Sequence, residues 1–416
     1  MSTDQQRESI IYVGACLDEA IVRKRGLRTA NAAGSNRLLR IASALHKAHA
    51  KVLVISQAES LRQRFTGRLW HASELKRMEG VPVLYSPSIG LPFVGLFFSP
   101  LFLTLSCLRM IRIRECKTLI VYNYSCALLI LCLTLRIFTR VRILNNVEDI
   151  SVPKFSDWRK GSETSAIQQI VFYVCMKAIS LLSYGSLIPS RRFIPYIKTR
   201  MNSVVTGCIS CEHVRLRQTQ GQVNVFYAGK IQFEHGAGAV AAAIKKLVDQ
   251  KLEDRFCLVV SGPDCEGHQW LRRELSSYRC VRFMGFLSRE DYQRALSEAD
   301  ICLALQNDCG RYSDLLVPSK TYEFLAHGKA VISTSVGDLA DLPPEIIRFV
   351  DFAGDSLARS IGQLIADKDK LSRQQQSALE YSKVNFEPSK VGKRILMFLD
   401  GNSQSSLDRT NQQACC

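Results

Sequence analysis

Short apolar runs rich in β-branched residues alternate along the chain with longer stretches whose apolar positions recur at helical spacing. Ile10–Val13 reads as a strand ending at Gly14. Asn36–Ala48 then sets Leu38, Leu39, Ile41, Ala42 and Leu45 on one helical face, and Lys51–Ser56 reads as a second strand, which completes one βαβ unit. Val81–Tyr85, Thr118–Asn123 and Arg142–Asn145 read as later strands, with helices predicted around Phe97–Ile113, Ala127–Phe138 and Ala166–Leu182. A second series of strands runs through Val223–Tyr227, Phe256–Ser261, Val281–Met284, Ile301–Ala304 and Ala330–Ser333. Between them, Gly236–Leu247, Gln269–Ser276, Arg289–Ala299 and Lys320–Ala326 read as helices. This alternation predicts an α/β protein with parallel sheets in two Rossmann-like lobes. Pro189, Pro195 and a polar stretch interrupt the pattern near 190–222. The expected organisation is therefore an N-terminal lobe over 1–195, a linker over 196–222, a C-terminal lobe over 223–400 and a polar, disordered tail over 401–416.

With 416 residues, 47% of them hydrophobic and 22% charged, the chain is long enough for two cores and unlike a disordered or collagen-like sequence. The formal charge of +17 is unevenly placed. Residues 1–200 carry 29 Lys and Arg against 12 Asp and Glu, whereas residues 201–416 carry 26 of each. The excess predicts an anionic partner for the first lobe, either a membrane surface, a phosphorylated substrate or nucleic acid, unless it is simply a soluble basic face. No basic motif interleaved with aromatics, helix-turn-helix or zinc finger is present, so no nucleic acid is expected. Gly14 opens no G-x-G-x-x-G, which argues against a nicotinamide enzyme.

The 15 cysteines are dispersed in apolar runs such as Ala127–Leu135, as buried reduced thiols would be. Cys208 and Cys211 form a lone C-x-x-C without a second pair, so no metal site is expected there. The N-terminal MSTDQQRESI is polar and has no signal-peptide pattern. Cys415-Cys416 matches a position used for double prenylation in some proteins, but nothing else in the sequence supports that modification. Gly80–Leu108 holds no charged residue but is broken by Pro82, Pro87, Pro92 and Pro100, and Arg109, Arg112, Arg114 and Lys117 follow it. An apolar segment with a basic cluster behind it suits docking on an anionic membrane; a core role and a spanning helix are the alternatives.

The densest chemical signal is Val317-Pro318-Ser319-Lys320-Thr321-Tyr322-Glu323-Phe324-Leu325-Ala326-His327-Gly328-Lys329-Ala330-Val331-Ile332. Pro318 and Ser319 can start a short helix whose free N–H groups face an anion, with Lys320 supplying a cation beside them. Phosphate is the natural ligand. Glu323 shares the face of Lys320 and could accept from two sugar hydroxyls. Taken alone, the pair could equally be a solvated helical ion pair. Gly328 closes the helix before the strand at Val331–Ile332.

The P-S-K-x-x-E-x-L-A-x-G-x-x-V-I run resembles the donor-binding signature of retaining nucleotide-sugar glycosyltransferases of the GT-B fold, specifically glycosyltransferase family 4. Phe226-Tyr227-Ala228-Gly229-Lys230, Leu258–Gly262 and Val281-Arg282-Phe283-Met284-Gly285-Phe286 resemble the three opening strands of that family's C-terminal lobe. Ala33-Gly34-Ser35-Asn36-Arg37 resembles the glycine-containing loop of the N-terminal lobe.

The resemblance implies two lobes facing a central cleft, and a donor site in the second. Glu323 would bind the donor ribose, and Lys230 with Lys320 would neutralise the departing diphosphate without a metal. Backbone around Gly285 and Phe286 would grip the base, and Gly229 and Gly262, at the ends of the first two strands, would be further donor-binding positions. Gly34 would let backbone approach the phosphates, with Ser319 and Thr321 beside Lys320. No cofactor other than the nucleoside-diphosphate sugar itself is implied. The charged, apolar first lobe adds the expectation of a lipid-linked saccharide acceptor in polysaccharide assembly, and of a peripheral position on the cytoplasmic face of the membrane.

The chain departs from the family pattern at three places. The position of a frequent second glutamate is Leu315, which leaves sugar contacts to Asp314 or to the loop Arg311–Ser313. A basic residue usual after the opening turn is replaced by His235, able to meet a phosphate when protonated. The histidine common in the first lobe has no counterpart near Asn123-Tyr124, while Glu148-Asp149 is a polar pair that could face the cleft or solvent. A catalytically reduced binding or scaffold protein on the same fold is the rival reading.

Overall fold

The apolar runs of the first 200 residues become the strands of one sheet. The computed structural model describes residues 8–27, 32–57, 64–91, 93–150, 166–219, 221–307 and 315–401. The chain forms two units: residues up to Cys208 together with those from Pro388 onward, and residues Ile209–Glu387.

In the first unit the elements are β1 (Ser9–Val13), α1 (Glu19–Arg25), α2 (Ala32–Lys47), β2 (Lys51–Ser56), β3 (Trp70–His71), β4 (Glu74–Met78), β5 (Val81–Tyr85) and β6 (Ser88–Ile89). They continue with α3 (Val94–Arg114), β7 (Thr118–Tyr122), α4 (Cys126–Phe138), β8 (Arg142–Asn146), α5 (Ala166–Leu182), β9 (Gly185–Ile188) and β10 (Met201–Val204). The sheet order is β10-β9-β8-β7-β1-β2-β5-β4. Its pairs are parallel except at the edge, where β4 runs antiparallel to β5. Alternate residues of a buried strand serve opposite faces. Ile10, Tyr12, Val52 and Val54 pack against α2 on one face, and Ile11, Val13, Leu53 and Ile55 pack against α3 and α4 on the other.

The second unit contains β11 (Val223–Ala228), α6 (Ala237–Asp249), β12 (Phe256–Ser261), α7 (Glu266–Leu275), β13 (Val281–Gly285), α8 (Arg289–Glu298) and β14 (Ile301–Ala304). After these come α9 (Ser319–Ala326), β15 (Ala330–Ser333), β16 (Ile347–Phe349), α10 (Gly354–Ala366) and α11 (Lys368–Asn385). All pairs in the sheet β13-β12-β11-β14-β15-β16 are parallel. This is the doubly wound Rossmann order: the chain winds outward from β11 through β12 to β13, then returns to build β14, β15 and β16 on the other side. The reversal leaves a crevice beyond the carboxyl ends of β11 and β14, where such sheets bind ligands. One face is covered by α6, α7 and α10 through residues such as Ile244, Leu271 and Ile361; Phe226, Leu325 and Leu379 lie in the core of the other.

The partition corrects the expected boundaries. The chain leaves the first unit at Cys208, inside the predicted linker, and a last helix α12 (Pro388–Leu399) belongs to the first unit rather than the second. Gly392 of α12 lies against α2 so closely that a Cβ there would stand 2.1 Å from the Ala44 carbonyl oxygen, and Val391, Ile395 and Phe398 enter the core beside Leu38 and Leu45. Chain order had suggested the nearer lobe; packing decides otherwise. Gly34 sits in the first turn of α2, so the predicted loop before the helix is already helical. Residues 402–416 of the predicted tail, with Cys415-Cys416, lie outside the described residues.

Candidate functional site

The crevice of the second unit is occupied by a hollow of about 300 Å³, lined by the end of β11 and its loop (Tyr227–Ile231), His235, the end of β14 (Leu303–Gln306) and the start of α9 (Val317–Thr321). Its size is at the lower end of small-molecule pockets. The sequence-derived residues Gly229, Lys230, His235, Ser319, Lys320 and Thr321 all line it.

Glycines at successive strand ends shape this edge. Gly229 has φ 127° and donates its N–H to the Ser261 carbonyl at 2.9 Å. Gly262 donates to the Gly285 carbonyl at 3.0 Å, and the Ser261 hydroxyl donates to that same oxygen at 3.0 Å. A Cβ on Gly262 would stand 2.0 Å from the Gly229 carbonyl oxygen, a contact that only glycine avoids. Three strand ends are thereby tied in a row, with Gly229 held directly against Lys320: a Cβ on Gly229 would meet Lys320 Cε at 3.0 Å and Nζ at 3.1 Å. Gly262, Gly285 and Phe286 do not line the hollow; they form the adjoining rim, where Gly285 turns at φ 64° and the Phe286 ring is 81% exposed.

Lys320 is largely buried, and burial holds its amine below the usual lysine range, opposed by the Glu323 charge. Its Nζ lies 5.2 Å from the centre of the Tyr292 ring, within cation–π reach. Tyr292 in turn donates its hydroxyl to Glu323 Oε2 at 3.1 Å. Among the described residues Lys320 and Glu323 form no direct ion pair, so the solvated-pair alternative is set aside; the two are linked through one tyrosine instead. Glu323 does not line the hollow but lies one turn further along α9. Tyr292, on α8, carried no signal in the sequence: it is 31 residues from Glu323, and only folding brings α8 beside α9.

Three expected roles are changed by local geometry. Among the first N–H groups of α9, that of Ser319 is taken by the Val317 carbonyl at 2.8 Å and that of Thr321 by the Pro318 carbonyl at 2.9 Å, so the helix start is less open to an anion than the sequence suggests. Thr321 is fully buried, and its hydroxyl has no hydrogen-bond partner among the described residues. The His235 ring nitrogen Nδ1 is 2.7 Å from the Lys230 carbonyl oxygen. A carbonyl only accepts, so Nδ1 carries the proton and Nε2 is left as the nitrogen able to face a ligand. The Lys230 side chain is exposed and has no partner among the described residues, which leaves it available to an anion in the hollow. Asp314 and Arg311–Ser313 lie outside the described residues, while Leu315 is described and half-buried.

The first unit carries its own polar cluster at the carboxyl ends of its strands. Glu148 accepts from Arg37 Nε at 3.0 Å and donates its N–H to Asn123 Oδ1 at 2.7 Å; Asn123, itself at φ 58°, also donates to Asp149 at 3.3 Å. Burial raises both carboxyls above the usual range, Glu148 in spite of Arg37 beside it. Glu148 is thus fixed by Arg37 and Asn123, whereas Asp149 stays exposed in the loop after β8. Gly34 is in this unit, near the start of the helix that bears Arg37. Cys208 and Cys211 are both buried free thiols and fall in different units. Among the described residues no three His, Cys, Asp or Glu side chains gather to hold a metal ion.

Residues 222–367 match the family model described as glycosyl transferases group 1. No curated protein matches the chain. Similar solved structures include a sucrose-phosphate synthase from Thermosynechococcus elongatus, 14% identical with a TM-score of 0.63 over 96% of this chain and 100% of that one. A glycosyltransferase from Rickettsia africae is 13% identical with a TM-score of 0.61, covering 96% of this chain and 100% of its own. HepE of Anabaena, solved in complex with UDP and glucose, is 15% identical with a TM-score of 0.60 over 94% of this chain and 99% of that one. The two Rossmann-like units thus have the GT-B fold, and the hollow lies within the segment that matches the group 1 glycosyl transferase model.

Proposed function

We propose that the protein is a retaining glycosyltransferase of family 4 type, which moves a sugar from a nucleoside-diphosphate sugar to a lipid-linked saccharide in polysaccharide assembly at a cytoplasmic membrane face. The observation that carries this reading is the hollow at the reversal point of the second sheet, where Gly229 is held against Lys320. It lies inside the matched segment 222–367, and HepE, of like fold, holds UDP.

In this reading the donor diphosphate lies over Gly229, between the Lys230 and Lys320 ammonium groups. Cleavage of the anomeric bond puts negative charge on the leaving diphosphate, and fixed cations in a partly dry site stabilise that charge more than water would. Lysines rather than a metal ion fill that role. Anion binding also offsets the cost that burial puts on the protonated Lys320 amine. Glu323, oriented by Tyr292, accepts from ribose hydroxyls, and Phe286 offers a free ring face to the base. The acceptor hydroxyl attacks from the side the diphosphate leaves, passes its proton to a diphosphate oxygen, and configuration is retained.

The purified full chain, in detergent or lipid, is tested against a panel of nucleoside-diphosphate sugars by thermal shift and nucleotide release, with Glu323→Ala and Lys320→Ala alongside. Stabilisation by one donor, lost in both variants, is expected. No response to any donor by a folded protein would refute the reading. Leu315 and the engaged His235 Nδ1 favour a second reading, a nucleotide-sugar-binding protein without turnover; binding without nucleotide release in the presence of acceptor lipids would select it.

A further inference from the structure

Helices α3, α4 and α5 form one layer over a single face of the first sheet: Leu103, Leu131 and Ile179 share the core beneath them. A surface helix ordinarily turns polar residues outward. These do not. On α3 the outward stripe runs Phe97, Leu101, Leu105, with Phe97 79% and Leu105 53% exposed; Ile137 on α4 is 73% exposed and Leu181 on α5 is 65% exposed. Among the described residues α3 is the one helix long and apolar enough to cross a membrane, yet Leu103 and Cys107 are fully buried against the sheet, so it is fixed in the layer. Exposed aromatic rings cluster at its start, where Trp70 meets Phe102 edge-on at 5.3 Å and Phe97 meets Phe98 at 5.3 Å. Phe93, 83% exposed, is held at φ 64°, a conformation a bulky side chain avoids unless something else favours it.

Charge decides the occupant. The three helices contain no Asp or Glu at all, and their charged residues are Arg109, Arg112, Arg114, Arg136 and Lys177. Arg109 and Arg112 continue the Phe97–Leu101–Leu105 stripe at helical spacing, so the cations and the apolar residues share one outward face. None of Arg109, Arg112 and Arg136 has an ion-pair partner among the described residues. A second copy of the chain fits poorly, because a two-fold contact sets each patch against itself and brings cations against cations.

We infer that the outer face of α3, α4 and α5 is a docking surface for an anionic lipid bilayer, on which the three helices lie in the plane of the headgroups with the aromatic end of α3 inserted. Interfacial helices of this kind sink ~5–10 Å into the headgroup boundary, and Trp favours that depth. This gives the proposed lipid-linked acceptor a defined face of the first unit, but docking itself needs no donor.

The test is sedimentation of the full chain, without nucleotide, with vesicles of phosphatidylcholine alone or with phosphatidylglycerol added. Each basic residue at an anionic surface contributes about fivefold in affinity. Arg109→Gln with Arg112→Gln is therefore expected to weaken binding to the anionic vesicles roughly 25-fold and to leave neutral vesicles unaffected. Phe97→Ser with Leu105→Ser is expected to abolish binding to both. Circular dichroism of each variant separates loss of docking from loss of fold, and nucleotide-induced thermal shift, read separately, tests the donor site. Equal binding of both vesicle types, a protein that stays off vesicles but forms a dimer lost in the Phe97/Leu105 variant, or attachment that resists carbonate extraction as a spanning helix would each overturn the inference.

Discussion

Gly262→Ala tests the strand-end frame of the donor hollow, because it alters no proposed catalytic side chain directly. Its Cβ would stand 2.0 Å from the Gly229 carbonyl oxygen. Carbon and oxygen rest at about 3.3 Å, so Gly229 must move by roughly 1 Å. That displacement strains or breaks the 2.9 Å bond from Gly229 N–H to Ser261, which contributes about 1 kcal/mol net. Overpacking strain adds roughly 1–3 kcal/mol. A total loss of ~2–4 kcal/mol in a unit of this size lowers its melting temperature by roughly 5–15 °C. Because Gly229 abuts Lys320, the movement also reaches the anion site, and donor affinity is expected to fall at least about tenfold. Calorimetric melting of the full chain, with and without the donor that stabilises the parent, reads both effects. Gly238→Ala is the control: that glycine lies in the first turn of α6 with nothing within 4 Å of a new Cβ, and the exchange should stabilise by about 0.5–1 kcal/mol. A Gly262→Ala protein melting within about 2 °C of the parent and responding normally to donor would refute the assigned close approach.

Two further outcomes follow from titration. Burial holds the Lys320 amine below its ordinary value, so in the free protein it loses its proton earlier than an exposed lysine as pH rises. A diphosphate needs the protonated form, so donor affinity should fall with rising pH below the usual lysine range, with proton uptake on binding in that window. Calorimetric titration in buffers of different ionisation enthalpy measures the uptake, and its persistence in Lys320→Arg would remove Lys320 as its source. Among the described cysteines Cys126 is exposed, whereas burial pushes Cys16, Cys132 and Cys211 up to about 12. At pH 8 such thiols are about one part in ten thousand thiolate. Brief iodoacetamide treatment of the folded chain should label Cys126 and spare those three, and mass spectrometry showing them labelled without denaturant would contradict their burial.

The strands with continuous apolar runs, such as Ile10–Val13 and Phe256–Ser261, were legible because both faces of a parallel sheet are covered. β4, Glu74–Met78, was not, since an edge strand exposed on one side needs no apolar run. α12 was not among the elements read from the sequence, and its destination could not have been, because no local pattern records that Gly392 fits against Ala44. In the site, glycines and lysines at motif spacing could be read directly, since they act through backbone shape and charge. Tyr292 could not, as its role exists only where α8 lies beside α9. His235 shows what residue type alone leaves open: a carbonyl 2.7 Å from Nδ1 fixes which ring nitrogen can face the hollow, and only the folded loop supplies it.

The return of the chain at Pro388 has a consequence for biosynthesis. The first unit is discontinuous, and its closing piece is made last. At ~10 residues per second, roughly 20 s separate the synthesis of Cys208 from that of α12. Throughout that interval the face of α2 around Ala44 has no cover, while the second unit, continuous from Ile209 to Glu387, can finish folding before the first is complete. Folding of the two units can thus be completed in the reverse of the order in which their synthesis begins, and a nascent chain arrested near residue 387 would carry a complete second unit attached to an incomplete first one.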